Sequence, residues 1–389
     1  MGKIVGYFGL FILMVFCSGR NSGQIKTGAE QPQKYLPLLQ NKKVGLVVNH
    51  TSLVDQVHLV DFLVEKNIQV KTIFAPEHGF RGEAAAGEEI QDGRDIKTGI
   101  KIASLYGENK KPTKEQLKEL DLIVFDIQDV GCRFYTYIST LHLVMEACAE
   151  SGLPLVVLDR PNPNGDYVAG PVLEPEFQSF VGMHPIPVVH GCTVGELALM
   201  INGEQWLRNK TKCELTVVPV ENYTHETRYL LPVRPSPNLP NDLSVRLYPS
   251  LCFFEATSVS VGRGTDFPFQ VLGGLNPGLG SFTFIPKDIA GVALNPINEG
   301  KVCYGADLRN LTEIPGFTLK YFLDFYHQYK NEKDFLTRES WLNTLAGTDR
   351  LLMQIRQGKS EAEIEQSWQP ALIKYKENRK KYLLYPDFE

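Results

Sequence analysis

Short apolar runs alternate with amphipathic segments between residues 42 and 161. The apolar runs are rich in β-branched residues and predict strands at 44–49, 70–75, 102–106, 122–127 and 155–158. Helical periodicity predicts helices at 58–66, 113–119 and 140–151, and Thr113 and Thr140 can cap the last two. This alternation predicts a Rossmann-like, doubly wound parallel sheet, which we assign to residues 35–175.

Residues 176–389 are predicted to form a smaller, mixed α/β domain. Prolines cluster between Pro161 and Pro187, so we place the boundary near residues 170–183. Beyond it, the pattern predicts strands at 215–220 and 256–261 and helices at 193–202, 318–329, 339–346, 349–357 and 360–376. We expect the functional site in the cleft between the two domains.

The N-terminal residues predict an export signal over residues 1–19. Lys3 precedes an apolar run at 4–16, which is shorter than the about 20 residues of a membrane-spanning helix. Cys17 follows this run as in a bacterial lipoprotein signal, although Phe16 stands where a small residue is usual; cleavage further on is the alternative. Residues 20–34 would then form a polar leader or tether. We expect an exported protein, in the periplasm or lipid-anchored to the outer membrane of a Gram-negative-type cell.

Composition and missing motifs exclude several classes of function. The 389 residues carry a net charge of −5 with both signs mixed, so a basic face for nucleic acid is not expected. The histidines are scattered, and the six cysteines beyond Cys17 lack zinc-type spacing; we expect buried cysteines, with one disulfide left open, and no metal. The first strand lacks a Gly-rich nucleotide turn, and no G-x-S-x-G or HExxH motif occurs. No cofactor is predicted, and the ligand should be small and largely uncharged.

Polar side chains follow the predicted strands at the point where each one ends. Because open parallel sheets bind ligands beyond the carboxyl ends of their strands, we expect these side chains to meet at one site. The five strand exits are Asn49-His50-Thr51, Pro76-Glu77-His78-Gly79, Tyr106-Gly107, Asp126-Ile127-Gln128-Asp129 and Asp159-Arg160-Pro161-Asn162.

Glu77 is the first choice for a catalytic acid. An apolar strand delivers it to a turn that contains Gly79. Partial desolvation there favours the neutral carboxyl, the form that a general acid needs near neutral pH. The alternative is a structural role, in which Glu77 caps a helix or pairs with Arg81.

The motif after the fourth predicted strand combines carboxylate, amide and aromatic groups. Strand alternation places Asp126 and Gln128 on one side, where they suit the hydroxyl groups of a sugar. The aromatic residues that follow can stack against the apolar face of a pyranose; they are Phe134, Tyr135 and Tyr137.

Two Asp–Arg combinations follow buried strands. Asp129 and Arg133 lie in one loop, and Asp159 and Arg160 lie in another. For each combination, an ion pair that ties down the loop is the alternative to a role in the site.

Two polar loops of the second half can close over the sheet edge. One contains His190 and Glu196, and the other contains Arg263 and Asp266. A helix cap or a loop hydrogen bond is the alternative for His190, Glu196 and Asp266. Asn238 lies in a Pro-rich run that predicts a rigid loop.

Together these motifs resemble the NamZ-like exo-β-N-acetylmuramidases, a family long known only as a domain of unknown function. The similarity begins near Lys42 and continues through His190-Gly191 and Gly262-Arg263-Gly264-Thr265-Asp266. It implies a glycoside hydrolase that releases N-acetylmuramic acid from the non-reducing ends of peptidoglycan fragments, without nicotinamide or metal. The family's proposed acid/base glutamate falls on Glu77, with His78 beside it in the site.

The second catalytic group stays open among Asp126, Asp129 and Asp159. A separation of about 5–5.5 Å between the two carboxyl groups would give retention, and about 6.5–9.5 Å would give inversion. Attack by the substrate's own N-acetyl group is a third route. The stereochemistry of the reaction is therefore not predicted.

The lactyl carboxylate of muramic acid requires a cation in the site. Arginine suits a carboxylate because its planar fork binds it bidentately, and the predicted residues are Arg81, Arg133, Arg160 and Arg263. The further predicted substrate contacts are Asn49, Gln128, Tyr135, Tyr137, Asn162, His190 and Asp266.

Two other functions fit parts of the sequence. A non-catalytic sugar-binding lipoprotein would carry the same export signal and polar sheet edge. A nucleotide-dependent enzyme would use the Rossmann-like domain, but the first strand leads into Asn49-His50-Thr51 instead of a Gly-rich turn. The expected partners are muropeptides or glycan-strand ends, and the oligomeric state is not predicted.

Overall fold

The computed structural model describes residues 23–77, 79–81 and 93–389, so the export signal, Cys17 and His78 lie outside the described residues. Within these ranges the strands are β1 (Lys43–Val48), β2 (Leu53–Val54), β3 (Val57–His58), β4 (Gln69–Ala75), β5 (Gly93–Arg94), β6 (Lys101–Ser104), β7 (Leu122–Asp126), β8 (Leu155–Leu158), β9 (Ala169–Val172), β10 (Pro187–Val189), β11 (Leu215–Val218), β12 (Val271–Gly274), β13 (Phe282–Phe284) and β14 (Cys303–Asp307). The α-helices are α1 (Pro32–Leu39), α2 (Leu59–Glu65), α3 (Lys114–Leu117), α4 (Tyr137–Ser151), α5 (Val194–Gly203), α6 (Asp242–Leu251), α7 (Lys320–Gln328), α8 (Glu332–Phe335), α9 (Glu339–Ala346), α10 (Arg350–Arg356) and α11 (Glu361–Arg379).

In the described part of the chain, seven strands form a central sheet in the order β11-β8-β7-β1-β4-β6-β5. Neighbouring strands are parallel except for β5, which is antiparallel to β6. The chain runs outward from β1 through β4 to β6 and then returns to β7, on the other side of β1. This switch point opens a crevice at the carboxyl ends of β1 and β7. The predicted parallel α/β sheet is confirmed, and its five predicted strands end within two residues of the observed bounds.

Both faces of the sheet are buried because alternate side chains of each strand point to opposite sides. Val47, Phe74 and Phe125 belong to the apolar cluster that includes α4. Leu46 and Val124 belong to a second cluster, which includes α1 and α2. Burial on both faces explains why these strands are nearly continuous apolar runs in the sequence.

The edge strand β11 lies after the boundary predicted near residue 175, so the sheet takes in chain from both sides of that boundary. Part of the predicted polar leader packs at the same edge. The backbone of Lys26 exchanges hydrogen bonds with Glu221, and the buried Gln31 donates its amide to the Pro219 carbonyl at 2.7 Å. From Lys26 onward, the prediction of a free tether is therefore wrong.

The C-terminal part combines helices α6 to α11 with a three-stranded antiparallel sheet of β12, β14 and β13. The strand predicted at 256–261 is not formed; the chain has the 3-10 helix Cys252–Ala256 and two isolated bridges, Thr257 with Leu336 and Ser260 with Gly273. The helices predicted in this part are present, and α9 has the predicted bounds. No helix of the described residues is long and apolar enough to cross a membrane. The six described cysteines are buried and unbridged, as expected for small apolar residues.

Candidate active site

A pocket with a cavity volume of about 80 Å³ opens where the chain leaves β4 and β7. Segments from distant parts of the chain meet there, on the carboxyl side of the sheet. The lining residues are Glu77, Phe134, Tyr135, Thr136, Tyr137, Ser236, Asn238, Leu239, Tyr248, Arg263 and Phe269.

Glu77 stands in this pocket among hydroxyl donors. Tyr106 donates to its Oε1 at 3.1 Å, and Thr136 donates to its Oε2 at 3.4 Å. Tyr137 donates to its backbone carbonyl at 3.4 Å. Burial, and then the charge of Glu77, raises the pKa of Tyr106, which therefore remains a donor. These contacts fix the carboxyl group at the pocket wall.

An aromatic wall faces the carboxyl group. The rings of Tyr135 and Tyr137 meet edge to face at 5.0 Å, and Tyr248 lies 6.0 Å from Tyr135 and 5.0 Å from Phe269. The Tyr135 hydroxyl donates to the Pro235 carbonyl at 2.8 Å, which ties the wall to the Pro-rich loop. A rigid apolar surface beside polar groups suits a sugar ring.

Asp126 and Arg160 form a buried ion pair, with distances of 2.5 Å and 2.9 Å from the guanidinium to the two carboxylate oxygens. Arg160 also donates to the Leu53 carbonyl at 3.2 Å. The predicted alternative paired Arg160 with Asp159, and that partner is wrong. Both charges of the observed pair are satisfied away from the pocket lining.

Asp159 anchors the start of α5. Its Oδ2 accepts from Thr193 at 2.7 Å and from Tyr385 at 2.5 Å, and its Oδ1 accepts the Gly195 N–H at 2.7 Å. Burial raises the pKa of Asp159 to about 6 in spite of these donors. The structure does not bring this carboxyl group to the pocket lining.

Asp129 also lies outside the pocket lining, but it differs from the other two aspartates because one of its oxygens has no hydrogen bond in the described residues. Its Oδ2 accepts the Gly131 N–H at 2.7 Å and lies 3.7 Å from His190 Nε2. Asp129 Oδ1 and His190 Nε2 are buried without a hydrogen-bond partner in the described residues. After burial, the charge of Asp129 is among the causes that raise the pKa values of Tyr135 and Tyr137. Asp129 is thus electrostatically coupled to the pocket wall.

Of the four predicted arginines, Arg263 is the one in the described pocket lining. It binds Glu255 at 2.6 Å and lies over the Phe269 ring at 5.0 Å. Arg133 is fully buried and donates to three backbone carbonyls at 2.8 Å, so the alternative that paired it with Asp129 is wrong. Arg81 binds Asp95 at 3.0 Å instead of Glu77.

The remaining predicted contacts lie outside the pocket lining of the described residues. The Gln128 amide donates to the carbonyls of Asp129 and Pro161, and the Asn162 amide donates to the Cys192 carbonyl at 2.8 Å. Asp266 is exposed. Asn49 is buried, and its amide is one of the groups that lower the raised pKa of Tyr137.

Several lining residues were not predicted as site residues, and they come mostly from loops of the second half. The Pro-rich run was predicted to be rigid, which was the available signal for Asn238. Isolated aromatic and hydroxyl residues carried no signal; they are Thr136, Ser236, Tyr248 and Phe269. No group of three metal-binding side chains occurs in residues 23–77, 79–81 and 93–389.

Two family models cover nearly the whole sequence. "Exo-beta-N-acetylmuramidase NamZ, N-terminal" matches residues 44–243, and "Exo-beta-N-acetylmuramidase NamZ, C-terminal" matches residues 246–385. The chain belongs to the NamZ family. The pocket takes Glu77 and the Asn238 loop from the N-terminal NamZ region and Tyr248, Arg263 and Phe269 from the C-terminal one. The family resemblance of the sequence motifs is confirmed.

Related proteins support the same family. A Bacillus subtilis (strain 168) protein named peptidoglycan beta-N-acetylmuramidase NamZ is 39% identical over 375 residues, or 90% of this chain and 89% of that protein. A crystal structure of a DUF1343 family protein from Bacteroides fragilis NCTC 9343 has a TM-score of 0.87 and 46% identity, and it covers 94% of this chain and all of that one. A second such protein from the same organism has a TM-score of 0.81 and 29% identity, over 93% of this chain and 99% of its own. The NamZ fold therefore extends over both parts of the chain.

Proposed function

We propose that this NamZ-family protein is an exo-acting β-N-acetylmuramidase that releases N-acetylmuramic acid from the non-reducing ends of peptidoglycan fragments. Membership of the family over both regions and the similarity to the Bacillus muramidase support this function. The observation that carries it is Glu77, a carboxyl group held by hydroxyl groups in a pocket that aromatic rings also line.

Glu77 is proposed to protonate the departing glycosidic oxygen. A general acid must hold its proton toward the leaving group, and hydrogen bonds from Tyr106 and Thr136 orient the two carboxyl oxygens. The aromatic wall would pack against the apolar face of the sugar ring. The role of His78 stays a prediction.

Asp129 is proposed as the second carboxylate, which stabilises positive charge at the anomeric carbon. Arg160 neutralises Asp126, and several donors saturate Asp159, whereas Asp129 Oδ1 is buried and uncommitted. Its charge also acts on Tyr135 and Tyr137 in the pocket wall. Proton NMR of the first anomer released distinguishes retention from inversion.

Arg263 is proposed to bind the lactyl carboxylate that distinguishes muramic acid from glucosamine. Glu255 engages one Nη of its guanidinium, and a guanidinium has five N–H donors. Its side chain is 29% exposed, so a ligand in the pocket can reach it. A charge-assisted contact of this kind strengthens both binding and selectivity.

The first test is release of a chromophore from 4-nitrophenyl β-N-acetylmuraminide by the wild type and by Glu77→Gln. We expect turnover by the wild type, little on the corresponding glucosaminide, and a loss of about 100-fold or more in kcat for the variant. Calorimetry with N-acetylmuramic acid should show that the variant still binds the sugar. A folded wild type that binds the sugar without turnover would favour the sugar-binding lipoprotein instead.

The second test compares Arg263→Met with Arg309→Met. Arg309 pairs with Asp307 and packs on Phe267 at 4.4 Å, but it lies outside the pocket lining, which makes it the matched control. Arg263→Met should reduce the preference for the muraminide over the glucosaminide by about tenfold or more. An unchanged preference would remove Arg263 from the proposed site.

We also propose that the protein is exported and that Cys17 carries a lipid. The basic Lys3, the apolar run at 4–16 and the position of Cys17 support this proposal. Labelled palmitate should enter the wild type and not Cys17→Ala, and the variant should move from the membrane to the soluble periplasmic fraction. Palmitate incorporation by both proteins would contradict a lipid at Cys17.

A further inference from the structure

Asn238, a residue of the pocket lining, carries a buried acceptor without a donor. The residue lines the pocket but is only 1% exposed. Its Nδ2 donates to the Val292 carbonyl at 2.7 Å, whereas its Oδ1 is buried without a hydrogen-bond partner in the described residues. A buried amide oxygen without a donor is destabilising unless something binds to it.

The orientation of this amide is determined by its partner. Turning the group over would place Oδ1 against the Val292 carbonyl, where two acceptors would repel each other. The nitrogen therefore stays on Val292, and the oxygen is the end of the amide that has no partner in the described residues. Asn238 can therefore only accept a hydrogen bond from a ligand, because its amide cannot turn over to donate one.

The loop around Asn238 is rigid before any ligand arrives. Prolines at 235, 237 and 240 restrict the backbone, and the Leu239 N–H donates to the Ser236 carbonyl at 3.0 Å. The Tyr135 hydroxyl binds the carbonyl of Pro235 at 2.8 Å. Asn238 is therefore held against both the aromatic wall and the C-terminal region, so little ordering cost remains for binding.

We propose that Asn238 Oδ1 accepts a hydrogen bond from the terminal sugar, and that this contact determines which sugars bind. The proposal rests on the muramidase function above. The lactyl group has acceptor atoms only, so the donor is the acetamido N–H or a free ring hydroxyl. Sugars that lack this donor leave Oδ1 buried and unpaired, and sites of this type discriminate strongly against such analogues.

The experiment measures binding in the Glu77→Gln background, so it does not depend on turnover. Calorimetry compares methyl β-N-acetylmuraminide with its 4-deoxy, 6-deoxy and 2-O-acetyl analogues, the last of which has oxygen in place of the acetamido N–H. One analogue should bind about tenfold or more weakly than the parent. Asn238→Ala should weaken the binding of methyl β-N-acetylmuraminide by a similar factor. The variant should also bind this sugar and the weakly bound analogue with equal affinity.

Asn202→Ala is the matched control. Both ends of the Asn202 amide are engaged, since it donates to the Cys213 carbonyl and accepts the Cys213 N–H, and it lies outside the pocket lining. This variant should discriminate among the four sugars as strongly as the Glu77→Gln protein does. Circular dichroism reports whether each variant folds.

Equal binding of all four sugars by the Glu77→Gln protein would overturn the proposal, even if Asn238→Ala did not fold. Undiminished discrimination by a folded Asn238→Ala would overturn it as well. Failure of the proposed function is distinguishable, because it would appear as a wild type that releases no chromophore from the muraminide.

Discussion

Gly131 determines the path of the loop that follows β7. Its φ is 76°, and an added Cβ would lie 2.1 Å from Asn162 Oδ1. Asp129 accepts the Gly131 N–H at 2.7 Å, so the turn also orients the proposed second carboxylate. The conformation and the close approach both require glycine here.

Gly131→Ala is expected to lower the free energy of unfolding by about 3 kcal/mol, from the left-handed backbone together with the clash. Gly152→Ala is the control, since Gly152 has a φ of 66° but nothing within 4 Å of the place that an added methyl group would take. We expect the control to lose only about 1 kcal/mol. Urea denaturation measures both, and equal losses would show that the contact with Asn162 is unimportant.

At the scale of single residues, the sequence predicted where a side chain lies better than which side chain it pairs with. Glu77 was found because it stands at a strand end, and it lines the pocket. The partner predicted for Arg160 was its neighbour Asp159, but adjacent residues near a strand point in opposite directions. Arg160 instead pairs with Asp126, which ends the neighbouring strand β7, and that pairing depends on strand order.

Helix starts show how local chemistry and long-range contacts combine. Thr113 and Thr193 each form a complete capping box, at α3 and α5. Thr113 is exposed, whereas Thr193 is buried and also donates to Asp159 Oδ2 at 2.7 Å. The two caps therefore have the same local geometry and different surroundings.

Thr113→Ala should lower the free energy of unfolding by about 1 kcal/mol, the usual effect of a lost cap. Thr193→Ala should cost about 2–3 kcal/mol, because the buried Asp159 loses a donor as well. Thermal unfolding under identical conditions measures the difference between the two variants. Similar losses would mean that Tyr385 and Gly195 satisfy Asp159 without Thr193.

Element boundaries were predictable where the signal is local. The Thr113 cap was predicted from sequence and is present, but Thr140 lies inside α4, which begins at Tyr137. The strand predicted at 256–261 is not formed, although Val259 and Val261 alternate with Ser258 and Ser260. Alternation of this kind is compatible with a strand, and packing against neighbours decides whether the strand forms.

At the scale of the whole molecule, three buried histidines make stability depend on pH. Burial lowers the pKa values of His58, His142 and His184 below the ordinary value of about 6.5. Below pH 6.5 the unfolded chain binds more protons than the folded one. The stability that these groups contribute is therefore present above pH 6.5 and is lost as the pH falls. Asp159, with its pKa raised to about 6, acts in the opposite direction.

His184→Phe should flatten this dependence. His184 is buried between His142, at 3.0 Å, and the ring of Trp206, at 5.3 Å. Removing one such group should reduce the slope of stability between pH 6.5 and 5.5 by up to about 1.4 kcal/mol per pH unit. Urea titrations measure it, with the exposed His327→Phe as control. An unchanged slope in His184→Phe would contradict the assignment.

The whole pocket could not be predicted from the sequence. Its N-terminal wall follows from strand ends, which every parallel sheet gathers at one edge. Its other wall needs Tyr248, Arg263 and Phe269, whose positions depend on how the C-terminal region packs against the sheet edge. The hydrophobic periodicity of the sequence does not predict how these distant segments pack together.

The backbone pairing of Lys26 with Glu221 fixes the point where any membrane tether would end, and so limits its length. From an acylated Cys17 to Lys26, the chain spans nine residues and at full extension reaches about 30 Å. An enzyme on so short a tether would reach only substrate that lies close to the membrane that holds it. Glycan ends deeper in the wall would have to diffuse to it, and lengthening the segment before Lys26 should widen the zone that it can digest.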